Sequence, residues 1–383
     1  MAIYKIFPLQ DATMYSRYPL MNTGIDPILE ISNLNPTTIG TPVVARPIIQ
    51  FDQSQINSVI DTLNTGSTAI SASLKSFISK ASGIIMKSDL YVYPLSGSWN
   101  NGSGEFLDTP PTTNGVGWEY RSNNGTNAWS TDNFATNVTA SFITASKGGG
   151  TWYTASEDIR LNLEYSQSFN LRTEKDINLD VTDIVKTWYS SSYNIDGTYT
   201  EIENNGFLLK WSDEIEFDSN LAIQPNMQFY STDTNTIYPP QLEIKWRDYQ
   251  YNKGTLQTIS TPDIYAAIDN NQGVFYSESI NQFRVNCRPE FPTRTFQTSS
   301  IYTDNFALPE ESYYAIKDLD TNEFVIDFDN DFTKISCDNT SNYFDLYMNG
   351  LEPERYYKIL IKTVINGSVI VKDEDYYFKI ING

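Results

Sequence analysis

Ile361-Lys362-Thr363-Val364-Ile365-Asn366-Gly367-Ser368-Val369-Ile370-Val371 places two β-branched, apolar runs on either side of an Asn-Gly pair. Asn and Gly both accept positive φ, which a type I′ turn requires at its two central positions, so this stretch predicts a tight β-hairpin. Upstream of it, Ile264–Ile268, Phe283–Arg288, Tyr313–Lys317, Phe324–Phe328 and Tyr343–Met348 read as further strands between polar turns. A β-rich body over 259–383 is the expectation.

Leu351-Glu352-Pro353-Glu354-Arg355-Tyr356-Tyr357 has the Leu-x-Pro-x-x-x-Tyr spacing of a tyrosine corner. In such a corner the Tyr hydroxyl bonds back to the upstream chain where an Ig- or fibronectin-like sandwich crosses between sheets. Tyr357 takes that role, which makes the C-terminal body a smaller Ig/fibronectin-like β-sandwich.

Before 247 the same grammar continues. Ile3–Phe7, Ile28–Ile31, Pro47–Asp52, Leu90–Leu95, Ile177–Val181, Phe207–Trp211, 226–231 and 241–246 read as strands. Gln55–Leu63 breaks the pattern: Ile56, Val59, Ile60 and Leu63 recur at helical spacing and predict a single short helix. Val181–Trp188 fits one helical turn with Ile184, Val185 and Trp188 inward, and Leu74–Ile85 reads equally as helix or strand. Residues 96–152, rich in Gly, Asn, Ser and Thr, predict a long loop insertion, and Gly148-Gly149-Gly150 a tight turn before Trp152. The N-terminal part is expected to be a jelly-roll-like β-sandwich over 1–247, joined by a linker at 248–258 where composition shifts to Arg-Asp-Tyr-Gln-Tyr-Asn-Lys-Gly.

Composition agrees with an all-β fold. Of 383 residues, 26 are Tyr, 20 Phe and 7 Trp, while only 19% are charged, a balance that suits pleated, half-buried surfaces better than long helices. Acidic residues number 47 against 26 basic, a net charge of −21 that repels phosphate backbones and anionic membranes. No nucleic-acid or membrane partner is expected. The chain contains no histidine, which removes His-based triads, His metal ligands and the commonest general acid–base. The two cysteines, Cys287 and Cys337, read as reduced core residues, with pairing as the alternative. The opening Met-Ala-Ile-Tyr-Lys-Ile-Phe-Pro has no basic start and apolar run, so no signal peptide is expected, and no stretch reaches the ~20 apolar residues of a membrane helix.

No catalytic residue, cofactor or metal is expected. Asp327, Asp329 and Asp331 alternate like the start of a calcium loop, yet Phe332 stands at its glycine position and Asp338 at its terminal glutamate position; the other reading is a solvated strand face. Trp99, Trp118, Trp129 and Trp152 sit in the long loop. They either pack against their own sandwich or meet a partner, with Trp129 and Trp152 the candidates for stacking on a sugar.

Residues 1–246 resemble a DNRLRE-type β-sandwich module of surface and cell-wall proteins. The matching pieces are Asp11-Ala12-Thr13, Asn22-Thr23-Gly24, Ala45-Arg46-Pro47-Ile48-Ile49-Gln50-Phe51-Asp52, Leu90-Tyr91-Val92-Tyr93, Asp180–Trp188, Asn204-Asn205-Gly206-Phe207 and Pro240-Gln241-Leu242-Glu243-Ile244. Some such modules bind polysaccharide, so the resemblance implies a sugar-facing surface and no activity. The whole chain is also similar to structural proteins of T4-like phages of marine bacteria and cyanobacteria. That similarity is sharpest in Tyr314–Glu323 and Tyr343–Tyr357. It implies a myovirus virion protein of the tail, neck or baseplate, partnered by other virion proteins and by copies of itself. A carbohydrate-binding adhesin or fibre module for host-surface glycans is the alternative.

Overall fold

The computed structural model describes residues 2–34, 43–62, 70–122, 127–129, 148–153, 163–189, 202–217, 224–291 and 304–382. Among the described residues strands take 48% and helices 8%, which makes the architecture all-β and sandwich-like. The first half runs β1 Ala2–Ile6, β2 Pro8–Tyr15, β3 Ile28–Leu34, β4 Val43–Phe51, α1 Gln53–Thr62, β5 Ile70–Ser76, β6 Ile78–Ser82 and β7 Ser88–Pro94. It continues through β8 Tyr120–Ser122, β9 Asn127–Ala128, β10 Tyr165–Phe169, β11 Ile177–Asp180, α2 Thr182–Trp188, β12 Phe207–Trp211, α3 Asp213–Phe217, β13 Asn226–Tyr230 and β14 Gln241–Trp246. The remainder is β15 Ile264–Asp269, β16 Val274–Tyr276, β17 Ile280–Pro289, β18 Ser312–Asp318, β19 Phe324–Ile326, β20 Ser336–Cys337, β21 Asn342–Tyr347, β22 Tyr356–Ile365 and β23 Ser368–Ile381.

These form two compact units. One is Ile6–Thr62 with Ser71–Glu243; the other is Ile244–Gly383 with Met1–Lys5 and Leu63–Ile70. The expected linker at 248–258 thus lies inside the second unit. Tyr251 bridges to Cys337 there, and its hydroxyl donates to the Leu308 carbonyl at 2.7 Å. Residues 1–5 also differ from the expected division, because Ile3 buries among Met348, Leu351 and Tyr357.

In the first unit a large antiparallel sheet has the order β10-β7-β12-β4-β3-β13-β6, with β2 also on β4. β4 meets β3 through Val43–Ala45 and β12 through Ile48–Ile49. Arg46-Pro47 falls between, and proline, having no N–H, suits a place where a ladder changes partner. The ambiguous segment 74–85 is strand throughout its regular part: β5 pairs with β11 and β6 with β13. Helix α1 begins where Asp52 accepts the Ser54 N–H at 2.8 Å, and it buries Ile56, Val59 and Ile60; Leu63 lies outside the described residues. α2 buries Ile184, Val185 and Trp188 as the spacing predicted. The expectation of a single helix is corrected by α2 and by α3, whose Asp-Glu-Ile-Glu-Phe carries no apolar period to betray it.

The second unit stacks the sheet β15-β17-β21-β20 on β16-β23-β22-β18-β19. Between them Tyr314 stacks on Phe344 at 4.2 Å between ring centroids, and Phe344 on Phe283 at 5.4 Å. The predicted hairpin joins β22 to β23, with Ile365 opposite Ser368 and φ of 52° and 79° at Asn366 and Gly367. The Tyr357 hydroxyl donates to the Glu352 carbonyl at 3.0 Å, closing the corner. Tyr357→Phe keeps the ring and loses that bond; an expected loss of about 1 kcal/mol should appear as a lower urea midpoint with unchanged slope.

Candidate functional site

A buried cluster of charge in the first unit surrounds Arg46. Its side chain is 0% exposed, so every guanidinium N–H must find an acceptor within the protein. Nε donates to Glu216 Oε1 at 3.1 Å, Nη2 to Glu216 Oε2 at 2.6 Å, and Nη1 to the Gly149 carbonyl at 2.8 Å. α3 presents Glu216 because the Ser212 carbonyl accepts both the Ile215 and the Glu216 N–H, turning the chain directly after β12. From β12 itself Lys210, also buried, reaches Glu216 Oε2 at 3.5 Å and pairs with the partly exposed Asp213. Two cations and two carboxylates therefore balance, which is the condition for burying charge at all.

Aromatic faces close the cluster. The Arg46 guanidinium lies 5.0 Å from the Trp118 ring and 5.4 Å from Trp152, and Lys210 lies 5.9 Å from Trp152. The three-glycine turn ahead of Trp152 is what lets the backbone come this close. Gly149 has φ of 80°, and a Cβ there would sit 2.7 Å from both the Arg46 Nη1 and the Trp118 ring. Gly149→Ala combines left-handed strain with that clash, so a loss of roughly 2 kcal/mol or more is expected in chemical denaturation. Chemically the arrangement is a lock. Each guanidinium nitrogen donates to a protein acceptor, so its charge is met from within the fold.

Both sequence-predicted sugar-stacking residues belong to this layer. Trp129 is 4% exposed and Trp152 3%, and they share a core with Trp99, Trp118, Val116 and Leu208. The Trp129 indole N–H donates to the Gly117 carbonyl at 3.1 Å and that of Trp99 to the Asn205 carbonyl at 2.9 Å. Neither Trp129 nor Trp152 offers a face to a ligand. Their packing role was the other reading of the sequence, and burial is its physical basis.

The motif residues of the first unit act as staples. Thr23 Oγ1 donates to the Thr13 carbonyl at 2.7 Å and accepts the Thr13 N–H at 2.9 Å. The Asn22 amide donates to the Asn101 and Val116 carbonyls at 2.6 and 2.9 Å, pinning the long loop to β2 and β3. Asp11 is buried, and its carboxylate accepts the Thr232 N–H and hydroxyl, both at 2.8 Å. Burial pushes its acid up to about 7, aided by the nearby Asp233 and Asp26 and opposed by the two Thr232 bonds. This was not read from sequence.

Asp327, Asp329 and Asp331 leave β19 for a turn instead of lining a strand face. Asp329 accepts the N–H groups of Asp331 and Phe332 at 2.7 and 3.1 Å, and Asp331 pairs with Arg247. Among the described residues no group of three or more His, Cys, Asp or Glu is placed to hold a metal ion. Cys287 and Cys337 are free and buried, with burial pushing their thiols up to about 12 and about 11.

No family model matches the chain. No curated protein matches it either. Among solved structures it aligns with two crystal structures of Parabacteroides merdae beta-glucuronidase, one with glycerol in its active site, at 10% and 9% identity and a TM-score of 0.16 in both. Those alignments cover 96% and 98% of this chain, which spans only 35% of the glucuronidase chains. At that similarity they carry no argument about activity. Among the described residues no helix is long and apolar enough to cross a membrane.

Proposed function

We propose that this chain is a structural component of a tailed-bacteriophage virion, present in multiple copies at the tail, neck or baseplate and acting through the surfaces of its β-sandwich bodies. The reading rests on the resemblance of Tyr314–Glu323 and Tyr343–Tyr357 to T4-like phage structural proteins, and the structure supports it by what those stretches do. Those two stretches are framework. Tyr314 and Phe344 stack in the core, and Arg355 grips Asp318 through Nε and Nη2 at 2.6 and 2.8 Å. Burial alone would raise the Asp318 acid; the bonds from Arg355, Thr321 and Asp320 hold it below the usual carboxylate range. A resemblance concentrated on residues that fix one another supports a shared fold for that unit; the place in the particle is the proposal itself, since a fold alone does not set function.

Peptide identification on purified phage particles tests this. Peptides of this chain should be present well above trace level, and their absence would end the reading. A host-glycan role would need contact residues other than Trp129 and Trp152.

A further inference from the structure

Among the described residues the long hairpin strand β23 has one edge that is left unpaired over part of its length. β22 pairs with β23 from Ser368 to Lys379, whereas on the other edge β16 meets only Lys379–Ile381. Asn271 holds the Tyr377 carbonyl and Asn366 reaches Ser260, so the edge is engaged at 377–381 and at the turn. Between those ends no strand among the described residues pairs with it. Which groups point outward follows from the register. Val364 sends its N–H to the Glu311 carbonyl at 3.0 Å, away from β23. Val369, directly opposite Val364, is then a non-hydrogen-bonded position of the β22–β23 ladder, and by alternation so is Val371. Their N–H and C=O groups face the open edge, and their side chains are 64% and 50% exposed.

Of the other edge strands in this unit, β15 has six residues and β16 three, and the remaining two are as short or shorter. β19 and β20 have three and two residues. Further along β23, the register shift near Leu360 and the acidic side chains Asp373 and Asp375 guard the strand. Ser368–Val371 carries neither a charged side chain nor a register shift.

We infer that Ser368–Lys372 of β23 is a strand-addition surface for a second copy of this chain, in antiparallel pairing about a two-fold axis at Ile370. This register sets Val369 opposite Val371 of the second copy and Val371 opposite its Val369. The same pairs are the hydrogen-bonded ones, so every outward N–H and C=O of the two valines finds a partner. The four valines then form one outer patch, and Asp373 falls opposite Gly367, clear of any acidic residue. Shifting the centre to Val371 would instead press each Asp373 against a valine. A second copy is the occupant because the segment is self-complementary at this one register. So short a contact makes a weak pair, which suits repetition in an array. The inference deepens the virion reading by naming where copies meet, though its geometry stands apart from that reading.

The test uses the full chain. Sedimentation velocity across a wide concentration range should show a monomer moving to twice its mass at the top, more readily at high salt, which screens the −21 charge of each copy. Val371→Pro removes an edge donor that β22 does not use; circular dichroism should be unchanged and association weakened about tenfold or more. Under mild oxidation, a mixture of Val369→Cys and Val371→Cys chains should cross-link, each variant alone should not, and the wild type controls for Cys287 and Cys337. A strict monomer at every concentration and salt, a dimer indifferent to Val371→Pro, or cross-linking of Val371→Cys alone would each overturn the inference. None of these outcomes bears on whether the chain is found in particles.

Discussion

Glu216→Ala is expected to destabilise the unit formed by Ile6–Thr62 and Ser71–Glu243 by about 3–5 kcal/mol. The carboxylate is fully buried and serves two cations, taking Nε and Nη2 of Arg46 and lying 3.5 Å from Lys210. Without it Arg46 keeps only the Gly149 carbonyl among its hydrogen bonds, and a positive charge stays in a site built to exclude water. Arg46→Met with Glu216→Met removes opposite charges together and leaves Lys210 its partner Asp213. The double variant should therefore be more stable than Glu216→Ala by about 1 kcal/mol or more. Urea unfolding followed by tryptophan emission is the measurement, since Trp118 and Trp152 lie against the guanidinium. A loss under about 1 kcal/mol for Glu216→Ala would remove the lock from the account of this fold.

What could be read in the sequence was local. The Asn366-Gly367 turn, the Leu351–Tyr357 corner, the helical period of Ile56, Val59 and Ile60 and the triple glycine before Trp152 each carry their signal within about a dozen residues, because a backbone angle or a repeat is fixed there. The Arg46–Glu216 lock could not be read. Its two ends are 170 residues apart, and an arginine in a strand beside a glutamate in an acid-rich helix looks like two solvated charges. Trp129 and Trp152 posed the same problem in reverse: an indole in a polar loop has one sequence appearance whether it plugs the core or faces solvent. The ambiguity of 74–85 was resolved by partners, since β5 and β6 gain ladders from β11 and β13 that no property of 74–85 announces. Calcium-like spacing at Asp327–Asp331 misled because aspartate also serves turns, accepting N–H groups two and three residues on.

The second large effect concerns pH. Asp11 is an unusual carboxyl because its folded value, about 7, lies above its ordinary 3.8. Between those two values the folded chain holds a proton that the unfolded chain has released, so stability falls as pH rises through this window. Below about 4 both states are protonated and the group is neutral to stability; above about 7 the full penalty applies, on the order of 4 kcal/mol for a shift of about three units. Asp11→Asn stays uncharged and keeps an oxygen for the Thr232 N–H and hydroxyl. It should match the wild type near pH 4 and become progressively more stable from there to pH 7, by as much as that amount. The acids beside it push the same way: burial also raises Asp26 and Asp233, and both their charges raise Asp11. Replacing Asp233 by Asn should therefore recover a small part of the same slope. Denaturant midpoints of wild type and Asp11→Asn at several pH values would decide it. Parallel curves would mean that Asp11 is ionised in the folded chain throughout, and that the Thr232 donors outweigh its burial. A widening gap would identify the Asp11-Ala12-Thr13 motif as a place where this fold tolerates an acid at the cost of stability near neutral pH.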